Sequence, residues 1–153
     1  MHTENNVFIR ADAAKVYRLA AAVERWPEIL PHYRWVRVLE DDGRRRLVEM
    51  AARRDGIPVR WRAEQELLPE VPRITFRHVG GVTKGMDVEW VFVPDEGGVR
   101  VAILHDLHLA WPVIGGVVAD RVIGPMFVEN IAGKTLRRIK ELAEAPVTGG
   151  STG

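Results

Sequence analysis

The sequence predicts an α+β fold in which a curved antiparallel sheet of seven strands wraps one long C-terminal helix, with two short helices after the first strand. Three observations carry this. Between Arg34 and Leu109 apolar and charged residues alternate, with Asp-Gly, Gly-Gly and Pro signals between the runs. From about Val113 to Ala145 the period changes to that of a helix. A sheet with one apolar and one wet face needs a cover, and that helix is the only element large enough. A sheet curled around a single helix leaves a hollow between them, where a ligand belongs.

Each element has a local cause. Asn6 to Arg10 reads as the first strand, and Asp12 caps a helix from Ala13 to about Val23, with Val16, Leu19, Ala20 and Val23 on one face. Trp26-Pro27 is expected to break that helix, leaving Glu28 to Leu30 as a short second one ended by Pro31. A strand from Tyr33 to Glu40 meets Asp41-Asp42-Gly43, its partner runs from Arg45 to Arg53, and Asp55-Gly56 turns into a strand from Ile57 to Leu68. Three more strands follow: Arg73 to Val79, one around Met86 to Phe92, and Val99 to Leu109. Pro112, Gly115 and Gly116 loosen the entry to the last helix, and Gly124-Pro125 should kink it. Its core stripe is Phe127, Ile131, Ile139 and Leu142, with Lys134, Arg137, Arg138 and Lys140 largely solvated.

Composition excludes several classes. A length of 153 residues with net charge +1 fits one domain and gives no electrostatic case for nucleic acid. Cysteine is absent, which removes disulfide and thiolate chemistry. No apolar run approaches the ~20 residues that span a bilayer. The polar start, Met1 to Asn6, has no secretory core, so the expected location is cytoplasmic. Ser occurs only at Ser151, which excludes a serine hydrolase. His105 and His108 point to opposite faces of a strand and cannot share a metal; no metal or cofactor is expected. The clusters Arg44-Arg45-Arg46 and Arg53-Arg54, with acidic neighbours, read as mixed solvated surface.

Alternation places Met50, Trp61, Gln65, Met86 and Trp90 inward, together with His78 and His105. A neutral imidazole can orient a carbonyl or move a proton, so the two histidines are the catalytic candidates; the other reading is structural histidines satisfied by neighbours. Five tryptophans against four Phe and two Tyr fit either a core or a ligand wall. From Leu109 to Met126 the chain is apolar on nearly every side, and Trp111, Val118 and Val122, with Phe127 just beyond, are candidate ligand contacts. That stretch caps a pocket, forms a homodimer face or touches a membrane surface peripherally; all three stay open.

Several strings carry a resemblance. Residues 7–17 (VFIRADAAKVY), 24–33 (ERWPEILPHY), 85–94 (GMDVEWVFVP) and 98–101 (GVRV) resemble the START-like SRPBCC superfamily, closest to its polyketide cyclase/dehydrase and coenzyme-Q-binding group. The resemblance runs from about Val7 to Ala143. It implies a helix-grip fold, a single START-like domain over residues 1–145 with a disordered tail at 146–153, and a deep pocket for an apolar or aromatic small molecule. It also implies that Trp26, Tyr33 and Trp90 line that pocket. Aromatase/cyclase members use an arginine on the strand matching Ile57 to Leu68, where this chain has Gln65 or Glu66. An arginine holds an enolate or carbonyl through a fork of donors, and glutamate cannot. The expected function is therefore binding or carriage of a hydrophobic molecule: a lipid, an isoprenoid or quinone, or a polyketide-like compound. The alternative is a polyketide aromatase/cyclase-dehydratase, and the third a protein-interaction module.

Overall fold

The computed structural model describes residues 2–54, 57–81, 83–107 and 131–145. The chain opens with β1 (His2–Ile9), α1 (Ala13–Ala21), a 3-10 turn (Val23–Arg25) and α2 (Trp26–Ile29). Six strands follow: β2 (Tyr33–Asp41), β3 (Arg45–Arg54), β4 (Ile57–Leu68), β5 (Arg73–Gly81), β6 (Met86–Asp95) and β7 (Gly98–Leu107), then α3 (Gly133–Glu144). All pairings are antiparallel and the spatial order is β1-β7-β6-β5-β4-β3-β2, the seven-stranded helix-grip arrangement.

Alternation decides the faces, as expected. Val59, Trp61, Ala63 and Gln65 of β4, Ile74, Phe76 and His78 of β5, and Met86, Val88, Trp90 and Phe92 of β6 are all buried. Val99, Val101, Ile103 and His105 of β7 join them. Register shifts in β2 at Tyr33/Trp35 and Val38/Glu40 are bulges, which bend and twist the outer strands around the core.

Three boundaries differ from the sequence reading. β1 begins at His2 rather than Asn6, because β7 pairs with it from Asp106 onward regardless of its polar composition. Asp12 does cap α1, accepting from the Lys15 N–H at 3.3 Å, but the helix stops at Ala21. Trp26-Pro27 starts the second helix instead of breaking one, since a proline in the first turn gives up no hydrogen bond.

α3 buries Leu136, Ile139 and Ala143, with Ile131 just before it, whereas Leu142 is only half-buried. Two of its cations are not simply solvated. Arg138 Nε donates to the Ile29 carbonyl at 3.0 Å, and Lys140 Nζ donates to the Phe8 carbonyl at 2.7 Å and pairs with Glu144 at 2.7 Å. Glu144 in turn accepts from the Arg10 N–H at 2.8 Å, so the helix is pinned against the end of β1. The arginine cluster also divides. Arg44 and Arg45 face solvent, but Arg46 has the parity of Val48 and Met50 and points inward. The entry at Pro112 to Gly116, the kink at Gly124-Pro125, Phe127 and the tail at 146–153 lie outside the described residues. No helix among the described residues is long and apolar enough to cross a membrane.

Candidate functional site

A cavity lies between the sheet and the start of α3. Its aromatic wall comes from Trp26, Tyr33, Trp61, Phe76 and Trp90; Met50, Met86, Val88, Ile103, Ile131 and Ala132 fill the gaps between rings. Three polar side chains interrupt it: His78, His105 and Thr135. The space left among them is about 50 Å³, enough for a few waters and far below the several hundred Å³ usual for a bound ring system. The hollow is where the fold predicts it but smaller than expected. A hollow of about 960 Å³ also exists across the opposite face of the sheet, lined by outward residues such as Glu64, Glu66, Arg77 and Asp87. It is open and crossed by ion pairs, as between Arg77 and Asp87 at 3.8 Å, with charged side chains outnumbering apolar ones such as Leu47 and Leu104.

The aromatic residues form one connected wall. Trp26 lies 5.0 Å from Tyr33 and 6.0 Å from Trp90, and Tyr33 lies 6.1 Å from Trp61. Trp61 stacks on His78 at 5.9 Å with 14° between the planes. Trp26 donates its indole N–H to the Leu19 carbonyl at 3.2 Å, which anchors the ring to α1.

Burial governs the polar groups. His78 is pushed down to about 3 by desolvation and then by His105, and its Nδ1 sits 2.7 Å from Thr83 Oγ1. His105 is pushed down to about 4 by desolvation and then by His2. Both imidazoles are therefore neutral at pH 7, and neither titrates near neutrality as free histidine does. His105 Nδ1 is buried and has no hydrogen-bond partner among the described residues. At the helix end of the cavity, Thr135 Oγ1 donates to the Ile131 carbonyl at 2.8 Å and lies 3.0 Å from His32 Nε2. The hydroxyl's one proton is used, so His32 must carry its own on Nε2 and donate. Desolvation and then Lys134 push His32 down to about 4. Burial raises Tyr33, whose hydroxyl also bonds Thr135, and keeps it un-ionised.

Of the residues singled out in sequence, Trp26, Tyr33, Met50, Trp61, His78, Met86, Trp90 and His105 meet at this cavity. Gln65 does not. Its Oε1 accepts from Arg46 Nε at 2.8 Å and its Nε2 donates to the Ala21 carbonyl at 3.1 Å, so its amide is used in holding the end of α1. Arg46 also donates to that carbonyl at 2.9 Å and pairs with Glu24 at 3.0 Å. Arg46, which stands opposite Gln65 in the β3–β4 ladder, is thus engaged away from the cavity wall. Trp111, Val118, Val122 and Phe127, with the apolar stretch on which a dimer, membrane or protein-interaction face rested, lie outside the described residues. Sequence reasoning missed Phe76, Val88, Ile103, Ile131, Ala132 and Thr135 as wall residues. The first three share the inward parity of His78, Trp90 and His105. Ile131 falls in the expected core stripe of the helix, Thr135 lies one turn from both Ile131 and Ile139, and Ala132 carries no signal.

Comparison with known proteins agrees with this geometry. Residues 9–131 match the family described as polyketide cyclase / dehydrase and lipid transport. The actinorhodin polyketide synthase bifunctional cyclase/dehydratase of Streptomyces coelicolor is 31% identical over 63% of this chain, and the match spans 31% of that relative's length. A putative polyketide cyclase of Streptomyces halstedii is 28% identical over 64% of this chain and 93% of its own. Among solved structures, the Zhui aromatase/cyclase from Streptomyces sp. R1128 superposes with a TM-score of 0.83 at 21% identity, over 99% of this chain and 98% of that one. The protein TTHA0849 from Thermus thermophilus gives 0.79 at 26%, over 95% of this chain and all of its own. With a family match across most of its length and the helix-grip architecture in place, the chain belongs to the polyketide cyclase/dehydrase and lipid-transport family.

Proposed function

We propose that the chain binds an uncharged, largely apolar small molecule in the cavity between β4–β7 and α3, with Trp26, Tyr33, Trp61 and Trp90 as the ring platform. The carrying observation is the wall itself: aromatic, free of any formal charge at neutral pH among its described residues, and holding one buried imidazole nitrogen without a partner among them. Burial of about 300 Å² of ligand surface at ~25 cal/mol per Å² contributes about 7 kcal/mol before association costs, so a guest must bury more than that to be held tightly. A space of about 50 Å³ admits such a guest only if wall side chains move, and the unbranched Met50 and Met86 have the torsional freedom to do so. Candidate guests are isoprenoids, quinones, lipids and polyketide-like compounds, met in a cytoplasm where a cysteine-free chain needs no oxidising compartment. Native mass spectrometry of the purified protein and a thermal-shift screen across these classes test this. A retained or stabilising ligand supports it; no mass adduct and no stabilisation by any class refutes it.

A second reading is favoured by the cyclase relatives: a cyclase-dehydratase acting on a poly-β-ketone. Here the neutral His78 and His105 hold an enol or carbonyl by hydrogen bonds, because burial leaves them unprotonated and unable to act as resting general acids. Replacing both by asparagine should abolish turnover of such a substrate while apolar-ligand binding persists. Undiminished turnover removes the assignment.

A further inference from the structure

Three buried polar atoms stand together on the inner face where β1 meets β7, and none has a hydrogen-bond partner among the described residues: Thr3 Oγ1, Asn5 Oδ1 and His105 Nδ1. Register makes them neighbours. Thr3 pairs directly with His105 and Asn5 with Ile103, so all three side chains fall within one step of each other on the same face. His105 and Ile103 also line the cavity. The residue after Asn5 on this face is Val7, which pairs with Val101, so the nearest side chains along the row offer neither donor nor acceptor. Native interiors leave few polar atoms unpaired, and three in one patch is a concentration that calls for an outside partner.

We propose that Thr3, Asn5 and His105 form a polar row that takes the hydroxyl-bearing end of the ligand, extending the cavity from His105 towards the β1 edge. This rests on the reading of the cavity as a ligand site and narrows its guest to one class. Asn5 Oδ1 can only accept, whereas Thr3 Oγ1 and His105 Nδ1 can each donate or accept. The partner must therefore bring at least one donor. A phenol, hydroquinone or polyol does so; a quinone or a simple ketone, with acceptors alone, leaves Asn5 unpaired. A carboxylate or phosphate has no cation to meet it among the described residues of this wall.

Isothermal calorimetry with two probes of one skeleton tests this: 1,4-dihydroxynaphthalene, kept reduced under argon, and 1,4-naphthoquinone. The chain has no cysteine for the quinone to arylate. The wild type should bind the hydroquinone at least about tenfold more tightly than the quinone, because only the former satisfies the buried acceptor. Asn5→Leu should lose most of that preference by weakening the hydroquinone, whereas Thr3→Val should weaken both probes because the Thr3 hydroxyl can serve either. Each variant should melt at higher temperature without ligand because an unpaired buried atom is gone. Thr3→Ser keeps the hydroxyl and should keep the preference. Equal affinity of the wild type for both probes overturns the row while leaving the cavity standing, as does full hydroquinone affinity in Thr3→Val and Asn5→Leu. Binding of neither probe overturns the row together with the cavity reading.

Discussion

Arg46 gives a sharp test of how the site is held. Its side chain is 9% exposed, and it donates to Gln65 Oε1 at 2.8 Å and to the Ala21 carbonyl at 2.9 Å while pairing with Glu24 at 3.0 Å. In Arg46→Ala the Ala21 carbonyl keeps Gln65 Nε2 as a donor at 3.1 Å, but Gln65 Oε1, on a residue with no exposure, is left without its partner. An orphaned buried acceptor costs about 1–3 kcal/mol. Glu24 is 45% exposed, so its ion pair adds at most about 1 kcal/mol, and the lost packing of the aliphatic stem adds a similar amount. The sum is about 3 kcal/mol, or about 6–12 °C in melting temperature for a domain of this size. Urea unfolding should show a lower midpoint at unchanged slope. Gln65→Leu should also destabilise, since Arg46 Nε loses its acceptor and the Ala21 carbonyl one of its two side-chain donors. The double variant should cost at least about 1 kcal/mol less than the two singles added, because the lost interaction is counted once. An Arg46→Ala protein within about 0.5 kcal/mol of wild type, or a strictly additive double, refutes the reasoning.

Three further outcomes follow from the same contacts. His32, His78 and His105 are pushed down to about 4, 3 and 4 in the folded chain from an ordinary 6.5, so as pH falls below about 6.5 the unfolded chain takes up protons that the folded chain refuses. Stability is therefore full above about pH 7.5 and declines towards pH 4, with up to three protons coupled to unfolding; a flat urea midpoint between pH 7 and 5 contradicts this. Trp61→Ala removes a ring that is 4% exposed and should cost about 3–5 kcal/mol, partly restored by added indole; no loss, or no rescue, counts against a fillable cavity. Gly81 has φ +89° and an added Cβ would stand 2.5 Å from the Arg60 carbonyl oxygen, whereas at Gly80 it would meet Arg62 at an ordinary 3.6 Å. Gly81→Ala should lower the melting temperature strongly and Gly80→Ala only slightly; equal effects refute the steric account.

Strand alternation made the sheet legible because each residue's face follows from parity alone, and every inward position of β4 to β6 named from that parity and described is buried or half-buried. Parity also held the two signals that were overlooked. Arg46 sits two residues before Val48, yet two neighbouring arginines make it look like solvated charge. Thr3 and Asn5 alternate correctly with Val7 and Ile9, yet their polarity hid a strand that depends on its partner's hydrogen bonds more than on its own apolar content. The low affinity of His78 and His105 for protons was not legible, since it arises from desolvation by elements distant in sequence. Nor was the small volume left in the cavity, which depends on ring orientations that no spacing encodes.

The strand order has a bearing on biosynthesis. Every ladder but one joins strands that follow each other along the chain, so hairpins from β2 to β7 can close as they emerge from the ribosome. The exception unites the first strand with the seventh, and α3 then clamps that junction through Lys140 on the Phe8 carbonyl and Glu144 on the Arg10 N–H. β1 must therefore wait, unpaired, until Gly98 to Leu107 have been translated, about two thirds of the way along the sequence. A ribosome stalled before Gly98 would display a nascent meander that still lacks its seam, the state in which a chaperone or a protease gains its longest opportunity.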